Sequence, residues 1–318
     1  MSAIKYKIAY KQTLLFAAAV ILCVFAAAGF AETDPNKSEP NKPQPAAELP
    51  KEKTAEIKPA QKVLFHGKCE NILKTFVDGK GRVNYSGLQR QRQDLDLLLN
   101  EFARLEPNTY NSWPKEDKMA FWINAYNIQM INVIALNYPI KTTRLGNIFF
   151  GPYSIRNIRG IWSEYKSIVM DEEFTLSEID RRFFRSDFNE PKAFFALSQA
   201  SASGPALHNE PYSGCNLHQQ LDEQARKFLN RPDSFRINKE KRIVYLSGIL
   251  QSTWFGGSFI GKYGTDKKFK DKEPAVRAVL NFICGYMPEQ DKAFLEIENY
   301  TVEFITYDWS INNQAVKG

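Results

Sequence analysis

The feature that most constrains this fold is a run from Met119 to Leu136 in which apolar side chains would cover nearly every face of a helix. Pro114, Glu116 and Asp117 precede the run, which is typical of a helix N-terminus because the helix dipole favours acidic groups there. A helix that is apolar on all faces is normally buried on all faces. The run is too short and too rich in amides for a membrane span. We therefore expect it to form the central helix of the fold.

The polar residues within this helix are carboxamides, and two of them share one face. Asn124 and Asn127 lie three positions apart, the spacing that places two side chains on the same side of a helix. A buried amide without a partner costs about 1–3 kcal/mol, so both side chains should be hydrogen-bonded. Two interpretations stay open: the amides tie the helix to a neighbouring loop, or, with Trp122 and Tyr126, they line a ligand cleft.

The remaining patterns predict further helices and a few short strands. Helices are predicted over 63–77, 88–105 with Ser86 as the cap, 176–184 with a capping box formed by Thr175 and Glu178, 216–229 and 274–286. Strands are predicted over 82–85, 161–170, 192–199, 242–246 and 301–307, and loops over 146–160 and 201–211. Strands and helices do not alternate strictly and no repeat is present. We therefore expect one α+β domain, with the buried helix packed on a small sheet and surrounded by further helices.

The first 31 residues have the layout of a secretory signal peptide. Lys5, Lys7 and Lys11 precede an uncharged apolar run over 12–31, and Gly29 and Ala31 supply small residues at the cleavage site. The alternative is an uncleaved membrane anchor, because the apolar run is nearly long enough to span a bilayer. In both cases the rest of the chain is exported, to the periplasm or out of the cell.

Residues 32–62 form a linker rich in Pro, Lys and Glu. Large apolar side chains are nearly absent there, so nothing offsets the entropy cost of ordering the chain. We interpret this segment as a disordered tether that holds the globular domain (63–318) away from a nearby membrane or cell wall. The alternative is a spacer with no role beyond its length.

Charge gives no reason to expect a nucleic-acid partner. The chain has 42 basic and 36 acidic residues, a net charge of +6. Without Lys5, Lys7 and Lys11 the balance is 39 − 36 = +3. This excess is too small to indicate nucleic-acid binding.

The sequence predicts no cofactor and no metal site. It lacks a Walker loop, a dinucleotide fingerprint, a His-Glu-x-x-His motif and a Cys-x-x-Cys pair. The spacing of His208, Cys215 and His218 fits no structural zinc pattern. After removal of the leader, Cys69, Cys215 and Cys284 would remain, so at most one intramolecular disulfide can form. We interpret these cysteines as incidental small residues of the core.

Three residues are weak candidates for nucleophilic catalysis. Cys215 lies at a predicted helix N-terminus, where the helix dipole lowers the pKa of a thiol, and His208 or His218 could act as its base. Ser201 with His208 is a second possible pair. No acidic residue is evident that would orient either histidine.

Several segments together resemble the family called domain of unknown function 547. The segment Met119–Asn127 resembles its signature helix, and the resemblance extends over about 63–314. The other matching segments are Thr175–Asp180 with Phe184 and Arg185, Phe195–Leu197, Ser201–Leu207, Glu210–Tyr212 before Leu221 and Asp222, and Tyr307–Trp309 with Asn312.

The resemblance implies a family of unsettled activity in which this chain is unusual. Family members commonly carry His and Cys where this chain has Phe194, Gln199 and Gly204, and His where it has Arg181 or Arg182. None of these side chains can act as a thiol nucleophile or its base. If the family includes cysteine-dependent hydrolases or transferases, this member should be catalytically degenerate.

Two hypotheses of function follow from these observations. The first is an exported binding or scaffold protein without catalysis, and the second is a residual hydrolase or acyl transferase that acts on a peptide, cell-wall or lipid substrate. The remaining polar residues are expected to bind a ligand or to hold the core together. We expect Glu178 to cap its helix and to pair with Arg182. The full set is Trp122, Asn124, Tyr126, Asn127, Glu178, Arg185, Ser201, Ser203 and Asp308.

Overall fold

The predicted central helix is present as α5 (Lys115–Leu136) and lies inside the protein. The computed structural model describes residues 59–251 and 256–314. Every residue of α5 from Met119 to Ala135 is buried except Asn132, which is partly exposed. By length and composition α5 could cross a membrane, but 89% of its most apolar window is buried against the rest of the chain. It is therefore a core helix, as the sequence predicts.

Ten further α-helices occur in the described ranges and enclose α5. The helices that contact α5 most extensively are α2, α3, α7 and α8. Their bounds are α1 Pro59–Phe76, α2 Tyr85–Arg90, α3 Arg92–Ala103, α4 Pro107–Asn111, α6 Arg144–Phe150, α7 Leu176–Ile179, α8 Leu217–Leu229, α9 Gly256–Tyr263, α10 Pro274–Cys284 and α11 Glu289–Glu296.

Within residues 59–251 and 256–314, five short strands form two small sheets. The first is an antiparallel hairpin of β1 (Lys166–Val169) and β2 (Glu172–Thr175). In the second, β4 (Ile243–Ser247) pairs antiparallel with β3 (Phe235–Asn238) and parallel with β5 (Thr301–Ile305). The registers place Lys166 opposite Thr175, Phe235 opposite Leu246 and Ile243 opposite Thr301. This mixture of helices and small sheets confirms the predicted α+β class.

The buried side chains form two hydrophobic clusters. The first surrounds α5 and includes the first hairpin, whose Phe174 ring lies 5.1 Å from that of Trp122. The second joins α8, α9, α10 and the three-stranded sheet. The segment 191–200 belongs to both clusters, because Phe195 stacks on Phe282 in the second while Leu197 packs in the first. This segment therefore connects the two hydrophobic clusters.

Two predictions near the start of the domain are wrong in detail. The predicted strand 82–85 is reduced to isolated bridges of Val83 with Val77 and Asn313. Tyr85 already begins α2, because the side chain of Asn84, not Ser86, accepts the hydrogen bond from Gly87 N that caps this helix. The predicted helix 88–105 is accordingly divided between α2 and α3.

Three other local predictions differ from the structure. The predicted loop 146–160 contains most of α6 and a 3₁₀ turn over Ile155–Asn157, since Thr143 caps α6 through Gly146 N. The predicted strand 192–199 is instead a 3₁₀ helix over Pro191–Phe195. Pro191 occupies its first position and the Glu190 side chain accepts a hydrogen bond from Lys192 N, so the turn is satisfied locally. The predicted strand 161–170 is restricted to β1.

The N-terminal predictions lie mostly outside the described residues. The predicted signal peptide 1–31 and residues 32–58 of the predicted linker fall there. Within the last residues of the predicted linker, α1 begins at Pro59.

Candidate functional site

The two asparagines of α5 bind the backbone of two loops. Asn124 Nδ2 donates to Tyr212 O and its Oδ1 accepts from Tyr212 N, both at 2.9 Å. Asn127 Nδ2 donates to Ala196 O and its Oδ1 accepts from Ser198 N, again at 2.9 Å. Each carboxamide thus forms two hydrogen bonds with the backbone of a loop and holds that loop against α5. This geometry is that of a tie between the helix and neighbouring loops, the first of the two interpretations of these residues.

The aromatic neighbours of these asparagines are also held within the core. Trp122 Nε1 donates to the Tyr110 hydroxyl at 2.8 Å, and its ring stacks on that of Phe183 with centroids 3.6 Å apart. Trp122 is therefore a packing residue in this structure. Tyr126 is different, because its buried hydroxyl forms no hydrogen bond of normal geometry.

A narrow cleft lies where the segment 191–200 meets the helical segment Asp180–Asp187, which follows α7. Its volume is about 20 Å³, close to the space that one water molecule requires. Such a cleft can accept a single small polar group. Its polar lining residues are Asp180, Arg185, Glu190, Gln199 and Ser258, and its apolar ones are Phe184, Pro191, Phe194, Leu197 and Phe259.

Gln199 is the least satisfied polar residue of this cleft. Its side chain is 1% exposed, and neither its amide nitrogen nor its amide oxygen forms a hydrogen bond of normal geometry. Burial raises the pKa of Tyr126 far above its usual value, and a weak side-chain hydrogen bond with the Gln199 amide partly opposes that rise. Each unpaired buried polar atom costs about 1–3 kcal/mol, and such atoms often mark a place that a ligand or water completes.

An ion pair between Asp180 and Arg185 forms one wall of the cleft. Arg185 Nε and Nη2 lie 2.9 and 2.8 Å from Asp180 Oδ2. The two residues are five positions apart and meet because residues 180–187 form a π-helix, in which hydrogen bonds join positions i and i+5. Burial raises the pKa of Asp180, and the Arg185 guanidinium opposes this rise. The wall is therefore polar but has no net charge when both groups are ionised.

Of the two predicted contacts of Glu178, the helix cap is present and the ion pair with Arg182 is not. Thr175 Oγ1 accepts a hydrogen bond from Glu178 N, and Glu178 Oε2 accepts one from Thr175 N at 2.8 Å, which completes the predicted capping box. The predicted pairing with Arg182 is wrong, because Arg182 Nη1 donates to Glu172 Oε1 at 2.6 Å. Glu172 lies on the hairpin that packs beside the π-helix, so tertiary contact replaces the local pair.

Ser201 and Gly204 lie next to Gln199, in a region that leaves no room for another side chain. The hydroxyls of Ser201 and Tyr307 are 2.6 Å apart. A Cβ atom at Gly204 would lie 2.8 Å from Ser201 Oγ, 2.9 Å from the Tyr307 hydroxyl and 3.2 Å from Gln199 Cβ. One of the positions at which the family resemblance implies a His or a Cys is thus closed by two hydroxyl groups.

Ser203 and Asp308 connect the same loop to the C-terminal segment. Ser203 Oγ accepts from Asp308 N at 3.1 Å and donates to Asp233 Oδ2 at 3.2 Å. The Asp308 carboxylate is exposed and accepts a hydrogen bond from Ser310 N at 2.8 Å. These contacts hold two chain segments together and form no part of the cleft.

The candidate nucleophiles do not meet a base. His208 Nδ1 is 2.8 Å from Glu210 O, whereas the Cys215 thiol is exposed and lies 3.4 Å from Ser213 Oγ. Within the described ranges no hydrogen bond joins an imidazole to Cys215 or Ser201. In the same ranges, no group of three or more His, Cys, Asp or Glu residues is arranged to hold a metal ion.

The other two cysteines are unreactive thiols by environment. Burial raises the pKa of Cys69 to about 12 and also raises the pKa of Cys284. Both are free thiols, as is Cys215. A thiol with a raised pKa is a poor nucleophile near neutral pH.

The comparisons with known proteins give a match to one family model over one part of the chain. Residues 110–229 match the model of the family described as "Protein of unknown function, DUF547". This segment contains α5, the π-helix and Gln199, so the predicted resemblance is confirmed over the residues that form most of the cleft. No curated protein matches the chain. No solved structure matches it either.

Proposed function

We propose that this protein is an exported, non-catalytic binding module whose cleft at Gln199 accepts a small, neutral polar group of its ligand. One observation carries the proposal. At a position where the family resemblance implies reactive side chains, this chain presents a buried carboxamide whose nitrogen and oxygen both lack a hydrogen bond of normal geometry and whose polar neighbour is the Tyr126 hydroxyl. A ligand hydroxyl or primary amide could complete both.

The surroundings of Gln199 favour a neutral group over a charged one. The Asp180–Arg185 pair contributes no net charge, and the Glu190 carboxylate at the cleft is already paired with Lys262 Nζ at 3.1 Å, so a charged ligand group would be desolvated without a free counter-ion. The rings of Phe184, Phe194 and Phe259 would surround an apolar stem behind the polar tip. We therefore expect ligands that present a hydroxyl or primary amide on an apolar stem.

The hydrogen bonding of the Ser201 hydroxyl, which lies next to Gln199, supports the absence of catalysis. Ser201 is bonded to Tyr307, and burial raises the pKa of Tyr307 well above its usual value. A tyrosine that stays protonated at neutral pH cannot take a proton from the serine. Export itself is supported by the basic, apolar and small-residue pattern of residues 1–31.

A pair of matched probes tests the binding proposal. Butyramide and butyrate have stems of equal length, and an NMR titration monitors the side-chain amide of Gln199. We expect butyramide to shift this resonance at millimolar concentration and butyrate to leave it unchanged. The variant Gln199→Leu should abolish the butyramide shifts around the cleft, whereas Gln219→Leu, at an exposed glutamine of α8, should retain them. Equal binding of butyrate, or shifts that persist in Gln199→Leu, would contradict the proposal.

A labelling experiment tests the competing hypothesis of a hydrolase or acyl transferase. Cys215 should react with iodoacetamide at pH 7 no faster than N-acetylcysteine, and a fluorophosphonate should leave Ser201 unlabelled. A reaction of Cys215 more than about a hundred-fold faster than the model thiol, or covalent labelling of Ser201, would show an activated nucleophile and overturn the non-catalytic proposal.

A further inference from the structure

The segment around α6 exposes an unusual number of large apolar side chains. Nine such residues are strongly exposed in the described part of the chain, and five of them lie between positions 145 and 153. Phe149 alone is 72% exposed. We call this group the α6 surface. It consists of Leu145, Ile148, Phe149, Phe150 and Tyr153.

In the chain segment that carries the α6 surface, all charges have one sign. Residues 138–163 include Lys141, Arg144, Arg156 and Arg159, and no Asp or Glu. All four basic residues are exposed. Among ion pairs within the described ranges, only a 3.7 Å contact between Arg159 and Glu164 involves one of them. The basic rim is therefore largely free to meet negative charge outside the domain.

Basic and apolar groups are in direct contact on this surface. The Arg156 guanidinium lies 4.4 Å from the centre of the Phe150 ring and 5.7 Å from that of Trp309. A groove of about 750 Å³ continues from this point, with Phe149, Phe150 and Trp309 in its lining and the exposed Asp308 beside them. On the α6 side of this groove, positive charge thus sits next to exposed aromatic rings.

We propose that the α6 surface docks on an anionic phospholipid bilayer. An apolar helix face with a basic rim is the pattern of interfacial helices, whose apolar side chains enter the headgroup boundary while the basic ones contact lipid phosphates. The seven residues of α6 are far too few to span a bilayer. The cores of protein–protein interfaces are depleted in charged residues, whereas a lipid surface accepts basic side chains without fixed partners. The α6 surface and the residues that line the Gln199 cleft share no member, so this proposal and the binding proposal fail separately.

Hydrogen exchange with vesicles tests this proposal on the full chain. Vesicles of phosphatidylcholine with 30% phosphatidylglycerol are compared with vesicles of phosphatidylcholine alone. We expect slower exchange over 141–159 with the anionic vesicles only. Because the readout is confined to residues 141–159, binding of vesicles through the N-terminal segment alone would not produce this protection.

Two variants and two controls separate the apolar and the electrostatic contributions. Each basic residue near an anionic surface is worth roughly a five-fold change in partitioning, so Lys141→Gln with Arg144→Gln should raise the half-saturating lipid concentration about twenty-five-fold. Ile148→Ser with Phe149→Ser should abolish the protection. Ile297→Ser and Lys227→Glu, at exposed positions outside the α6 surface, should leave it within two-fold. Unchanged melting temperatures would show that every variant is folded.

Three outcomes would overturn the proposal. The first is equal protection by neutral and anionic vesicles. The second is protection that both α6 variants retain. The third is protection of 141–159 that increases with protein concentration in the absence of lipid, since a second copy of the chain would then cover this surface.

Discussion

The helices α5 and α6 both contain Phe, Ile and Asn, yet one is buried and the other exposed. In α5 every residue between Met119 and Ala135 is buried except Asn132, whereas α6 has no buried residue. The difference lies in the partners of their polar groups. The carboxamides of α5 bind the backbone of loops that cover the helix, and the polar side chains of α6 face outward. A few apolar residues therefore do not bury a short helix, whereas a long helix that is apolar on all faces is buried.

The two helices are also stabilised by different means. A helix of seven residues is too short to be stable alone, so α6 depends on its ends. Thr143 caps it at Gly146 N, and Gly151, with a φ of 82°, ends it in a conformation that favours glycine. The stability of α5 comes instead from packing on all sides. This contrast predicts that equivalent substitutions in the two helices will have very different costs.

The largest difference is expected for Phe→Ala substitutions. Phe121 of α5 is fully buried, so Phe121→Ala should lower the free energy of unfolding by about 3–5 kcal/mol. Phe149→Ala in α6 should change it by no more than about 0.5 kcal/mol. Urea denaturation measures both values. Comparable losses in the two variants would mean that α6 is covered in solution.

The second comparison concerns asparagine. Asn124→Ala leaves the N–H and C=O of Tyr212 without their partners inside the core and should cost about 2–3 kcal/mol. Asn147→Ala, at an exposed position of α6, should cost less than about 0.5 kcal/mol. Hydrogen exchange of the Tyr212 amide checks the mechanism. If that amide stays protected in Asn124→Ala, the tie is not the source of the stability.

A third substitution should act in the opposite direction. Gln199→Met removes two unpaired buried atoms and keeps the side-chain volume, so we expect it to stabilise the fold by about 1 kcal/mol. Gln129→Met is the matched control in α5. It removes hydrogen bonds to Tyr165 O and Phe174 O and should be destabilising. A loss of stability in Gln199→Met would indicate that the Gln199 amide is satisfied in solution.

The smallest effect is a pH dependence at the cap of α7, a helix that packs on α5. The hydrogen bonds from Thr175 to Glu178 hold the pKa of Glu178 below its ordinary value of 4.5. Because the folded-state pKa is lowered, this contribution is complete above pH 4.5 and is lost as the pH falls through the folded pKa.

The variant Glu178→Gln isolates this contribution. Relative to wild type, its stability should depend less on pH between 7 and 3, as measured by denaturation at both values. At α6, the Thr143 cap has no titratable group, so Thr143→Ala should have a cost that does not vary with pH. Identical pH profiles for Glu178→Gln and wild type would contradict the assignment.

Local patterns predicted those elements whose stability is local or whose burial is complete. The capping box at Thr175 and Glu178 and the amphipathic helix α8 follow from nearest neighbours in the chain. The 3₁₀ helix over Pro191–Phe195 was wrongly predicted as a strand. Its apolar residues are buried in two different clusters, so the sequence shows no helical periodicity of apolar and polar residues there. In α6, Gly146 and Asn147 suggested a loop, but the cap at Thr143 outweighs their low helix propensity.

The cleft was still harder to predict. Asp180 and Arg185 meet only because the chain forms a π-helix. In an ordinary α-helix, side chains three or four positions apart are neighbours, and those five apart are not. Tyr126, Gln199 and Tyr307 come from distant parts of the sequence. The family resemblance drew attention to Gln199 and Gly204, but only coordinates show that hydroxyl groups close the space at Gly204.

By itself the sequence determined that α5 is the core helix, because an all-apolar surface has no stable arrangement except burial. It also determined the basic and apolar composition of the α6 segment. Only the tertiary structure decided which carboxamides have partners: Asn124 and Asn127 are satisfied by loops, and Gln199 is left unpaired in a cleft. The reason is physical. Hydrophobic burial depends on composition and area, whereas a hydrogen bond depends on the position and direction of one particular atom.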